Sequence, residues 1–212
     1  MAMRVVVDNG PLDFARGRPA GKRKPSGQRR TKTAAAISLR AAVTADAPAL
    51  HTLIAAHLEE GKLLPRTLDE LTVHAPRFVV AVESSSAGER IVGCAELAPL
   101  SAGVAEVRSL VVNKDVRRLG LGEQMVDALA TRARREGYLK LCAFAHEPAF
   151  FVRRGFSIVP HTWVPEKIAH DCNTCPLFRN CGQYAIVLDL DGSTGVLTEV
   201  RTRVRTGVRT NV

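Results

Sequence analysis

Residues Arg117-Arg118-Leu119-Gly120-Leu121-Gly122 stand between a β-branched run, Val104 to Asn113, and a stretch with apolar residues at helical spacing, Leu121, Met125, Leu129 and Ala133. A strand that hands over to a helix through paired glycines belongs to architectures in which strands and helices interleave. Such a turn offers backbone N–H groups and the positive end of a helix dipole to an anion. Gly120 and Gly122, lacking Cβ, let the backbone come close to phosphate or take a positive φ, and Arg117 and Arg118 add charge-assisted contacts. The turn therefore reads as a pyrophosphate cradle. A P-loop is excluded because Glu123-Gln124 follow Gly122, and a dinucleotide fingerprint lacks its third glycine. The plain alternative is a loop with two glycines and two surface arginines.

The pattern around this turn is regular from residue 38 to 191. It predicts a strand over Ile37 to Val43 and a helix capped by Asp46 that runs to Gly61, with Leu50, Leu53, Ile54, His57 and Leu58 facing inward. A second helix is expected from Leu68 to about His74, capped by Thr67 with Asp69 and Glu70 in its first turn. Strands follow over Arg77 to Val82, Ile91 to Leu97 and Val104 to Asn113, the first two joined by a hairpin loop at Ser84 to Gly88. The long helix spans Leu121 to Glu136 and stops at Gly137. Leu139 to Ala145, Phe156 to Pro160 and Tyr184 to Leu190 read as strands, and Pro148 to Arg153 as a short helix. Interleaved strands and helices predict an α/β or α+β sheet with helices packed on its faces, α/β being the expected class.

The formal charge is +9 over 212 residues. Residues 1–37 carry nine Lys or Arg against two Asp, and residues 193–212 four Arg against one Glu, which leaves −1 for residues 38–192. The basicity belongs to the ends, so a nucleic-acid partner is not expected for the central domain. Residues 1–37 and 192–212 read as flexible tails too polar to bury a core. No apolar run reaches the roughly 18 to 20 residues of a membrane span, and Val5-Val6-Val7 is too short for a signal peptide, so a cytoplasmic protein is expected.

In Leu110-Val111-Val112 followed by Arg117 to Gly122, the sequence resembles the GNAT (Gcn5-related) N-acetyltransferases over roughly residues 38 to 190. The resemblance implies a mixed sheet splayed at its centre, with helices on both faces, and acetyl-CoA as co-substrate. The backbone of Leu110, Val111 and Val112 would pair with the pantetheine arm, and Arg117, Arg118, Leu119, Gly120, Leu121 and Gly122 would hold the pyrophosphate. Ala149 to Phe156 resembles a second landmark, where the family often carries a tyrosine acid; this chain has Phe151 there.

The chemistry requires a neutral amine, attack on a thioester and donors for an oxyanion. Glu106 is the leading proton acceptor, because strand alternation puts Glu106, Arg108 and Leu110 on one side, toward the cleft; Glu96 and His146 are reserves. The alternative for Glu106 is a surface ion-pair role. Gly61 to Leu71, Val92 to Leu97, Glu106 to Leu110 and Pro165 to Ala185 are similar to the short bacterial amino-acid N-acetyltransferases that act as N-acetylglutamate synthases. That resemblance implies L-glutamate as acceptor, serving arginine synthesis, with carboxylates held by Arg66 and Arg108. Phe151 fits it, whereas Ala143-Phe144-Ala145 stands where the family tends to have Leu-Thr-Thr.

Cys172, Cys175, Cys181 and His170 supply up to four ligands within twelve residues, which is compatible with zinc. An iron–sulfur ligand set and unliganded loop thiols are the alternatives. Cys94 and Cys142 fall inside strands and read as core. Two other functions are compatible with the sequence, a GNAT enzyme with another acceptor amine and an inactive nucleic-acid-binding or zinc-scaffold module; a homo-oligomer is also compatible.

Overall fold

The computed structural model describes residues 3–4, 36–60, 63–86, 88–175 and 178–191. The expected N-terminal tail lies outside the described residues except for Met3–Arg4 and the start of β2, and the C-terminal tail of residues 192–212 lies outside them.

Twelve residue runs matter here: β1 (Met3–Arg4), β2 (Ala36–Ala41), α1 (Ala47–Ala55), α2 (Leu68–His74), β3 (Phe78–Ser85), β4 (Gly88–Pro99), β5 (Val104–Val112), α3 (Leu121–Arg135), β6 (Lys140–Ala145), α4 (Ala149–Val152), β7 (Ser157–Val159) and β8 (Tyr184–Asp189). A further short helix, α5 (Pro165–His170), precedes β8. The sheet order is β1-β2-β3-β4-β5-β6-β8-β7, antiparallel except for the β5–β6 pair. The α/β class and the central splay expected from the sequence are both present.

Helices cover both faces because each face presents an apolar layer. The Leu121, Met125, Leu129 and Ala133 stripe of α3 lies in one core cluster with Ala81, Val92, Leu97, Ala105 and Val107. Leu50 and Ile54 of α1 and Leu71 of α2 join Phe78, Val80, Cys94 and Val111 in the other. Thr67 caps α2 as expected, accepting from the Glu70 N–H at 3.2 Å. Gly137 ends α3 with a φ of +85°.

Two local expectations are corrected. Asp46 does not cap α1: its carboxylate forks with Arg40 (2.6 and 2.9 Å) and accepts the Val43 N–H at 2.8 Å. The helix also stops at Ala55, and a separate 3₁₀ turn covers Leu58–Glu60, with His57 buried between them. The second correction concerns β5. Cys94 pairs with Val111 and Glu96 with Arg108, so Ser109 and Leu110 oppose Ala95 alone. Ser109 takes a φ of +49° at this bulge. Alternation therefore reverses: Leu110 and Val112 lie against the α3-side core with Ala105 and Val107, not beside Glu106 and Arg108.

Candidate active site

β5 and β6 pair in parallel only from Val104–Lys140 to Glu106–Cys142. Beyond Glu106, β6 continues its pairing with β8, whereas the edge of β5 that faced β6 is left open from Val107 to Val112. Parting strands make a V, and the V opens into a cleft of about 1550 Å³. One end of this cleft is lined by the Arg117–Gly122 turn, its middle by Leu110, Val111 and Val112, and the other end by Glu106, Arg108, Arg66 and Lys167. A strand edge with free N–H and C=O groups is a template for an extended, amide-bearing chain.

At the turn, Arg118 and Gly120 both take left-handed backbone, with φ of +71° and +72°. The first helical N–H to bond back is that of Gln124, to the Gly120 carbonyl at 3.0 Å. The earlier amides of the turn have no intrahelical acceptor, the arrangement that suits an anion. Gly122 faces Phe150, whose ring would lie 3.6 Å from an added Cβ. Arg117, expected to be free for phosphate, is engaged: its Nη2 donates to both Glu60 oxygens (2.8 and 3.0 Å) and its Nε to the Val112 carbonyl (3.0 Å). The Arg118 side chain is exposed and makes no ion pair among the described residues. Phe151 lines the cleft but is 6% exposed, edge-on to Phe150 and Phe156, so most of it is core.

The acceptor end is a network of ion pairs. Glu106 is 3% exposed and accepts from Lys167 Nζ at 2.8 and 2.9 Å and from Arg108 Nε at 2.6 Å. Arg108 Nη2 and Lys167 Nζ both donate to Asp171, and His170 Nδ1 lies 2.8 Å from the other Asp171 oxygen. Burial alone would raise the Asp171 pKa; the Lys167 and His170 hydrogen bonds, with the charges of Lys167 and Arg108, overcome it and hold the carboxyl below its ordinary range. Arg66 reaches Glu96 at 2.9 Å, Glu70 at 2.8 Å and the Ser109 hydroxyl at 3.1 Å. Glu96 is 1% exposed and stands 3.3 Å from His74 Nδ1. The structure thus brings Arg66, Glu106 and Arg108 to one end of the cleft, with Glu96, the reserve proton acceptor, buried behind Arg66 and outside the cleft lining. Lys167, Asp171 and Ser109 join them, and sequence reading had singled out none of the three. The spacing of Lys167 and Asp171 on a helical turn was a readable signal, but its partners lie about sixty residues away. His146 lines the cleft too, with Nδ1 3.2 Å from the Gly182 carbonyl.

The zinc expectation gains no support from the structure. Among the described residues no three His, Cys, Asp or Glu side chains form a group able to hold an ion. His170 turns to Asp171, and Cys172, Cys175 and Cys181 are free thiols along the cleft, Cys172 and Cys175 at the two ends of one 3₁₀ turn and Cys181 in the stretch before β8. No helix among the described residues is long and apolar enough to cross a membrane.

A mixed sheet splayed at its centre, with an open strand edge beside a glycine-rich helix start, is the architecture of an acyltransferase. The acetyltransferase (GNAT) family profile matches residues 45–156, and the chain belongs to that family; it is an acetyl-CoA-dependent acyltransferase. It is 29% identical over 157 residues to an uncharacterised N-acetyltransferase of Chlorobaculum tepidum, covering 74% of this chain and 99% of that protein. It is 30% identical over 131 residues to the amino-acid acetyltransferase of Mycobacterium tuberculosis, covering 61% of this chain and 74% of that protein. Among solved structures it is similar to N-acetylglutamate synthase of Neisseria gonorrhoeae complexed with coenzyme A and N-acetyl-glutamate, with a TM-score of 0.63 and 26% identity. That match covers 73% of this chain but only 35% of the Neisseria protein.

Proposed function

We propose that the protein transfers acetyl from acetyl-CoA to the α-amino group of L-glutamate, the reaction that opens arginine synthesis. The observation that carries this reading is the convergence of Arg66 and Arg108 on one end of the cleft, beside the open edge of β5. Two guanidinium groups from separate elements suit an acceptor with two carboxylates. Amino-acid acetyltransferase relatives and the N-acetylglutamate synthase neighbour support it.

On this reading the pantetheine arm lies along Leu110, Val111 and Val112, and the turn from Arg117 to Gly122 holds the pyrophosphate. Phe150 packs against the turn and Phe151 lines the cleft behind it. Glu106 accepts the acceptor's ammonium proton. The freed nitrogen attacks the thioester carbonyl, a C–N bond forms and the C–S bond breaks. The second nitrogen proton leaves with the coenzyme A thiolate, so amide and thiol are the products. A guest that carries both an ammonium and carboxylates suits the network, because it replaces the ion pairs it opens with others. An amine without a carboxylate would leave buried guanidinium charge unmatched.

The test is thiol release from acetyl-CoA with L-glutamate against a panel of amino acids, polyamines and peptides. Glutamate should give the highest kcat/KM; equal or better turnover with peptides or polyamines overturns the reading.

A further inference from the structure

The reading above leaves Lys167 and Asp171 without a role. Lys167 projects from α5 with its side chain 14% exposed, and its Nζ bridges Glu106 (2.8 and 2.9 Å) and Asp171 (2.7 Å). The Phe144 ring centroid lies 5.2 Å from Nζ, which fixes the ammonium over an aromatic face. Asp171 sits just past the end of α5, where the backbone has left the helix, and its side chain is 31% exposed. It takes Arg108 and Lys167 on one oxygen and faces His170 with the other. Arg108 and Lys167 therefore already hold a carboxylate, one supplied by the chain itself.

We infer that Lys167, together with Arg108, is the seat of the acceptor's α-carboxylate, and that Asp171 stands in that seat until the acceptor displaces it. This rests on Glu106 taking the acceptor's ammonium. An α-carboxylate is two bonds from its amine, and Lys167 Nζ touches both Glu106 oxygens, so the adjacent cation is the one within reach of it. Arg66, which joins the Glu96 side of the network, is left to read the side-chain carboxylate. The consequence is a requirement for free α-amino acids: amines and peptide N-termini lack the adjacent anion.

The experiment compares L-glutamate with its α-amide in wild type, Lys167→Met, Lys167→Arg and Asp171→Asn. Wild type should prefer glutamate by about 100-fold in kcat/KM, as a site built for a polar group discriminates against its absence. Lys167→Met should cut that preference to about tenfold or less, chiefly by raising KM for glutamate, with KM for acetyl-CoA within about twofold. Lys167→Arg should restore part of it. Asp171→Asn should lower KM for glutamate by about two- to fivefold, a change no merely structural role predicts. An undiminished preference in Lys167→Met, or a raised KM for glutamate in Asp171→Asn, overturns the inference. If wild type prefers a different amino acid, the glutamate reading falls alone, and the same comparison is run on that acid and its α-amide. Turnover confined to amines without a carboxylate overturns both.

Discussion

Arg117 forks both oxygens of Glu60, at 2.8 and 3.0 Å, and so ties the pyrophosphate-type turn to the 3₁₀ segment after α1. The Arg117 hydrogen bond holds the Glu60 carboxyl below its ordinary range. On the proposed reading of the turn, Glu60 and a bound diphosphate would compete for one guanidinium. Glu60→Gln should therefore lower KM for acetyl-CoA by about two- to fivefold, and Arg117→Ala should raise it by about tenfold; the first effect should shrink as salt screens the pair. Steady-state kinetics at two ionic strengths checks both.

Ser109 occupies the bulge with a φ of +49°, and its hydroxyl oxygen accepts from Arg66 Nη1 at 3.1 Å. Ser109→Gly should release about 1 kcal/mol of backbone strain and forfeit a hydrogen bond of about 1 kcal/mol, leaving stability near wild type. Ser109→Ala keeps the strain and loses the bond, so it should unfold about 1 kcal/mol more easily. Denaturant melts of the pair separate the two contributions.

Gly93 lies where β4 meets both β5 and α3. An added Cβ would stand 3.1 Å from the Val111 carbonyl oxygen and 3.1 Å from the Met125 terminal methyl. The methyl can swing away; the carbonyl cannot without parting the strands. Gly93→Ala should cost about 1 to 3 kcal/mol of stability, readable as a lower midpoint in thermal unfolding.

Asp46 is held below its ordinary pKa chiefly by the hydrogen bond from Arg40, against the opposing effect of burial. A depressed folded-state pKa means the stabilisation is complete above the unfolded value, near about 4, and is lost as pH falls through the folded value. Arg40→Met should cost about 0.5 to 1 kcal/mol at pH 7, given that Arg40 is partly solvated, and nothing once Asp46 is protonated. Unfolding curves between neutral and strongly acid pH should converge for the two proteins.

The five cysteines should differ in reactivity. Burial pushes the Cys94 thiol up to about 12 and raises Cys142 further, whereas Cys181 is exposed. Timed alkylation with mass spectrometry should label Cys181 first and reach Cys94 and Cys142 only after unfolding.

The elements that the sequence disclosed are those with local causes. The α3 stripe, the Thr67 cap, the Gly137 stop and the glycine turn are each written within one helical repeat or one turn. The bulge at Ser109 escaped because an extra residue leaves the composition of a strand unchanged while reversing every later side chain. Lys167 and Asp171 escaped for another reason: Glu106 and Arg108 lie 61 and 63 residues from them, and only the folded sheet sets them side by side. Arg117 looked free for the same reason, since Glu60 reaches it from 57 residues away.

The parting of β5 from β6 also bears on solubility. An unpaired strand edge on the outside of a protein recruits other chains, and natural sheets blunt such edges with charge, bulges or short strands. Here the unpaired stretch from Val107 to Val112 looks inward, between the walls of the V. An edge inside the sheet, flanked by paired strands on both sides, is not presented to a neighbouring molecule as an outer strand is. Placement thus does for this edge what gatekeeper charges do elsewhere, and its backbone groups stay unpaired away from the outer rim of the sheet.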